Sequence, residues 1–208
     1  MTDLGVDIAW APAEDKTYEN CLATIRNRGE FLEYVPKSMR TLEMCLAAVQ
    51  SDWGALRYVP HDLRTIEVCY VALESPDGWN ALEFVPDEFK TSEVCLSMVK
   101  RDGHALYNVP AQHKTPEVCM VAVKNWGHTL WGVPEHLRTP ELCWASVQNK
   151  CSGLSAVPEH LKTPELCLEA VRHDGMSLGN VPKHLRTPEI VAAAVAQTPC
   201  AIIYAPQV

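Results

Sequence analysis

The chain has 208 residues, 47% hydrophobic and 21% charged, with 26 acidic against 18 basic side chains and a formal charge of −8. This profile excludes a disordered tail, a collagen-like fibre and a basic nucleic-acid-binding arm. The longest apolar run, Ile190 to Ala196, falls far short of the roughly 20 residues a membrane-spanning helix needs, so no membrane partner is expected. Asp3, Asp7, Glu14 and Asp15 stand near the start without a Lys or Arg among them, unlike the basic start of a secretory signal. The expected location is the cytoplasm, or a host cell reached through a dedicated secretion system.

Prolines recur at Pro12, Pro36, Pro60, Pro86, Pro110, Pro134, Pro158, Pro182 and Pro206, spaced by 24 residues except for one gap of 26. Thr17, Thr41, Thr65, Thr91, Thr115, Thr139, Thr163 and Thr187 keep the same beat. Each follows a Lys or Arg and precedes a Glu by two positions. Such self-similarity is the mark of a repeat architecture. Residues 1–15 match the second half of one unit, and eight units fill 16–208, so the whole of 1–208 reads as one helical-repeat domain.

Within a unit the elements follow in a fixed order. The Thr is an N-cap whose hydroxyl can accept from a free amide of the first helical turn. In the last four units Pro116, Pro140, Pro164 and Pro188 take the first helical position, where a missing amide costs nothing. The Glu that follows sits at the positive end of the helix dipole. A helix of about 10 residues, roughly 15 Å long, is predicted, ending in a left-handed glycine cap at Gly29, Gly103, Gly127 or Gly175. A short second segment, typified by Ala55 to Tyr58, stops before the Val-Pro pair, because a residue preceding proline is pushed out of the helical region. Proline then opens a tight turn.

The first helix is apolar nearly all round, as in Leu166, Cys167, Leu168, Ala170 and Val171, and a helix of that kind is buried on several sides. Ala48, Ala72, Ala122, Ser146, Ala170 and Ala194 keep one position small, as close helix stacking requires. One unit cannot bury such a surface alone, whereas stacked neighbours can. The predicted fold is all-α, an α-solenoid of about eight 24-residue repeats, each a helix followed by a short helix or 3-10 turn.

The pattern [KR]-T-x-E-x-C followed by L-x-x-V-P, running through residues 16–208, resembles an uncharacterised bacterial and large-virus family of tandem short helical repeats, a domain of unknown function. The resemblance implies helical pairs and, in some members, delivery as effectors; it names no reaction. In unit length the array is also similar to leucine-rich-repeat variants that alternate an α-helix with a 3-10 helix, although their internal Asn-Pro signature is missing.

The candidate chemistry is sparse. Cys21, Cys45, Cys69, Cys95, Cys119, Cys143 and Cys167 share one repeat position, about 9 Å apart if the helices stack. That is beyond the reach of a disulfide, and they read as buried reduced thiols. Cys151 and Cys200 fall outside the register. His136, His160 and His184 form a column of solvent-facing turn residues, which a full repeat between neighbours keeps from sharing a metal. The Glu column is matched by Lys16, Arg40, Arg64, Lys90, Lys114, Arg138, Lys162 and Arg186 three residues earlier, and the two rows read as scaffold for helix starts and repeat stacking. With no phosphate loop, nucleophile elbow or metal motif, no catalytic residue, metal or cofactor is expected.

Charge is the informative asymmetry: residues 1–104 hold 18 acids and 10 bases, while 105–208 hold 8 of each. The same half places aromatics two residues before the repeat proline, at Trp10, Tyr34, Tyr58 and Phe84. They serve a partner or form a half-buried stacking ladder. Glu74, Asp77, Trp79, Glu83, Asp87 and Glu88 cluster around the unit with the extra residues, and insertions in repeats often mark the binding face. The expected function is a non-enzymatic scaffold whose acidic-aromatic half binds a basic protein or peptide, as an effector or adaptor module. The alternative is an immunity or inhibitor protein that neutralises a basic toxin such as a nuclease. Nucleic acid is not an expected partner, for want of a basic stripe. The apolar last helix is expected to self-associate, dock another chain or continue into further repeats.

Overall fold

A computed structural model of the chain describes residues 9, 12, 16–149 and 153–206. Among these there is no β-strand, and eight α-helices alternate with 3-10 helices. The α-helices are α1 (Tyr18–Ile25), α2 (Leu42–Ser51), α3 (Ile66–Glu74), α4 (Ser92–Arg101), α5 (Pro116–Asn125), α6 (Pro140–Gln148), α7 (Pro164–His173) and α8 (Pro188–Gln197). After each comes a longer 3-10 helix, such as Trp53–Tyr58 or Gly103–Asn108. A three-residue 3-10 turn such as Glu135–Leu137 then leads into the next helix. The fold is an all-α solenoid with a period of about 24 residues.

The chain divides into two compact units, Met1–Thr91 and Ser92–Val208. In the first, α1 to α3 pack in sequence and their 3-10 helices do likewise; in the second, α4 to α8 repeat the arrangement. Within each unit, successive repeats therefore lie side by side, α-helix against α-helix and 3-10 helix against 3-10 helix.

The N-termini are built as the sequence dictates. Thr41, Thr115, Thr139, Thr163 and Thr187 are extended caps whose hydroxyls accept from the amide three residues on, at 3.2–3.4 Å. Proline occupies the first turn of α5 to α8. Burial follows the period as well. Leu32, Leu56, Leu82, Leu106, Leu130, Leu154 and Leu178, one from each of the first seven longer 3-10 helices, are fully buried, each worth about 1.5–3 kcal/mol of transfer free energy. The small column packs against them, with Ala48, Ala72, Ala122, Ser146 and Ala194 wholly inaccessible.

The C-termini differ from expectation. No described glycine has a positive φ, so none forms a left-handed cap. Helices α2, α5, α7 and α8 instead run into Asp52, Trp126, Asp174 and Thr198 in extended conformation. The carbonyls left over at such an end find partners in the next repeat. Asn125 Nδ2 donates to Val99 O at 3.0 Å, and Asn149 Nδ2 to Lys124 O at 2.8 Å. Glycine serves contact rather than conformation. A Cβ at Gly103 would stand 2.6 Å from Ala122 O, and one at Gly29 or Gly175 would strike Ala48 O or Ala194 O. The glycine of one repeat thus makes room for the helix backbone of the next.

Candidate functional site

In each unit the 3-10 helices form a ridge whose ends are sewn together by the basic column. Arg138 Nε donates to Val133 O at 3.0 Å, and its Nη2 to Trp131 O at 3.4 Å; both acceptors end one repeat. Its Nη1 donates to Ala156 O in the following repeat at 3.0 Å. Arg40, Arg64 and Arg186 make the same three bonds. The shorter Lys114 and Lys162 reach one carbonyl each, across the ridge, at Gly132 O and Asn180 O, both at 2.9 Å, and Lys162 Nζ also donates to Glu159 Oε2 at 3.1 Å. One guanidinium therefore holds two neighbouring 3-10 ends in register. The arginines are committed to carbonyls rather than to the Glu three residues on. The Glu row remains exposed at the helix starts. There its own backbone amide and, second, the Thr139 hydroxyl hold the Glu141 carboxyl below the usual carboxylate range.

In the first unit, Tyr34 is exposed, its ring edge-on to Phe31 with centroids 5.5 Å apart. Tyr58 and Phe84 are half-buried, and the protein's own Arg57 lies 6.0 Å and 5.1 Å from their ring centres. Burial, and then contact with the Glu33 carboxylate, pushes the Tyr58 phenol up. Arg57 thus lies near both rings. Glu74 ends α3, and Asp77 precedes the 3-10 helix Gly78–Glu83, in which Trp79 is half-buried and Glu83 exposed. Asp87 and Glu88 lie exposed in the turn Asp87–Phe89, where Asp87 meets Lys90 Nζ at 3.0 Å. Trp10 and Cys151 lie outside the described residues.

The seven in-register cysteines are free and fully buried. Burial pushes the thiols of Cys45, Cys69, Cys143 and Cys167 up to about 11, and a protonated, inaccessible thiol is a poor nucleophile. Cys200 is exposed. Alkylation of the native protein at neutral pH should label Cys200 and leave the column untouched until denaturant is added, as read by peptide mass mapping. Labelling of the column at the rate of Cys200 would contradict its burial. His136, His160 and His184 are exposed on their turns. At the last repeat Ala201 is the buried residue of the 3-10 helix Pro199–Tyr204, while Ile202 and Ile203 stand out into solvent.

A cluster in the second unit escapes the sequence reading. In a 3-10 helix residues three apart lie on one face, so His104 with Tyr107, and His128 with Trp131, each share a face of the ridge. His104 Nε2 meets His128 Nε2 at 2.8 Å, although a whole repeat separates them. Asp102, the cap of its 3-10 helix, accepts from the His104 amide at 2.8 Å and faces the ring Nδ1 at 2.6 Å. With Nδ1–H donating to that carboxylate, the neutral His104 ring presents its Nε2 lone pair to His128. Trp126 packs against both imidazoles, with centroids 5.3 Å and 6.1 Å away, and Tyr107 Oη donates to His128 O at 3.3 Å. Burial, and second the neighbouring His104 imidazole, moves the His128 pKa down. The signal available in the sequence was a pair of histidines 24 residues apart at one repeat position.

Residues 163–207, the last two repeats, match a domain of unknown function, DUF4116. No curated protein and no solved structure matches the chain. Among the described residues no helix is long and apolar enough to cross a membrane.

Proposed function

We propose that the protein is a non-enzymatic binding scaffold whose first unit takes a basic protein or peptide. One observation carries this reading: Glu74, Asp77, Glu83 and Glu88 are exposed, and none of them joins an ion pair among the described residues. Carboxylates displayed in this way steer a cationic partner and set its register. Arg57 over Phe84 illustrates the contact a partner arginine would make on the exposed face of Tyr34, worth about 0.5–2 kcal/mol per site as desolvation increases. The proposed setting is the cytoplasm of the producing cell or of a host that receives the protein as an effector.

Replacing Glu74, Glu83 and Glu88 together with Lys reverses the charge of this surface and leaves the Asp87 contact to the buried Lys90 intact. Binding of a labelled arginine-rich peptide should weaken at least tenfold, and its salt dependence should flatten, while the melting temperature stays near that of the wild type. Unchanged peptide affinity would overturn the assignment.

A further inference from the structure

We infer that His104 and His128 form a binding site for one divalent transition-metal ion, of the nickel or copper class, held by their two Nε2 atoms. The metal reading goes beyond the scaffold function and involves the other unit. Two nitrogens at about 2.0–2.1 Å from one ion and at right angles about it stand roughly 2.9 Å apart. The observed separation of 2.8 Å is already close to that of adjacent ligands on a square or octahedral ion. Both imidazoles are half-exposed, so an ion can enter with its remaining positions filled by water. Imidazole suits this class of metal.

The surroundings are those of a built ligand pair. A metal-binding histidine commonly donates its other nitrogen to a carboxylate, which fixes the tautomer and strengthens the ligand. Asp102 stands in that place, 2.6 Å from His104 Nδ1, and is itself held by the His104 amide. Trp126 packs against both rings. On binding, His128 changes to its Nδ1–H tautomer as its Nε2 takes the ion. Two waters leave the hydrated metal to make room for the two nitrogens.

No group of three or more His, Cys, Asp or Glu among the described residues could hold an ion. The His104–His128 site is a two-ligand chelate, and its affinity depends on both rings.

The test is titration of the full chain with nickel chloride, watched through the imidazole proton signals in NMR, because bound paramagnetic nickel broadens its own ligands first. The His104 and His128 signals should broaden at stoichiometric nickel, ahead of His136, His160 and His184. His104→Asn or His128→Asn should weaken binding at this site at least tenfold. Asn80 occupies the same repeat position, so these variants keep a residue the ridge already accommodates. Asp102→Asn, which retains a capping oxygen but not the charge, should weaken it roughly tenfold to a hundredfold, and His136→Asn should leave it unchanged. If nickel broadens the exposed turn histidines while leaving His104 and His128 sharp, or if both Asn variants bind as tightly as the wild type, the site does not exist.

Discussion

Arg138→Ala is expected to destabilise the second unit by about 2–4 kcal/mol. Hydrogen bonds from a charged donor are each worth roughly 1.5–3 kcal/mol, and losing the donor strands its acceptors. Arg138 makes three, to Val133 O, Trp131 O and Ala156 O. Its partial exposure and their non-additivity hold the sum below three times the single value. Arg138→Lys should recover about half, because Lys114 and Lys162 show that an ammonium at this position still reaches the carbonyl across the ridge. Denaturant melts followed by tryptophan fluorescence measure both. Equal stability of Arg138→Ala and the wild type, or a Lys variant no better than Ala, would remove the basic column from the account of repeat stacking.

The second large effect is a matter of sign. Gly103 has no positive φ, so on backbone entropy alone Gly103→Ala would stabilise by about 0.4–1 kcal/mol. The added Cβ, however, would stand 2.6 Å from Ala122 O, a backbone atom that cannot swing aside, and overpacking of this kind costs about 1–3 kcal/mol. Destabilisation is therefore expected. Gly54→Ala is the matched control, since its Cβ meets only the Asp52 side chain, at 3.2 Å, and it should be neutral or mildly stabilising. Thermal melts of the two variants that moved in the same direction would contradict the contact argument.

The helix starts are legible in the sequence because their physics is local: a Thr hydroxyl, a proline and a Glu act within four residues of one another. The helix ends are not, because Val99 O and Lys124 O are satisfied by Asn125 and Asn149 from the following repeat. A glycine after the last helical turn suggests a left-handed cap, but at Gly29, Gly103 and Gly175 it marks a close approach to a neighbouring backbone. The buried cysteine column is legible for the same reason as the core, through its unbroken apolar register. The aromatic column is legible as a pattern but not in its role, since only the structure shows Arg57 lying over Phe84.

The His104–His128 contact is missed through a confusion of two lengths. Helix axes 8–10 Å apart keep backbones and short side chains from meeting. Two imidazoles leaning towards each other across parallel 3-10 helices close that distance from both sides. At the same repeat spacing the cysteines stay apart while the two imidazoles meet.

That contact bears on how such an array acquires chemistry. Wherever ridge side chains at equivalent positions touch, copying one unit in tandem sets a residue beside its own duplicate. A lone imidazole becomes a facing pair in a single event, with no second substitution and no new backbone to design. The ridge is thus a place where two-residue sites arise by repetition, and the length of the array sets how many it can hold.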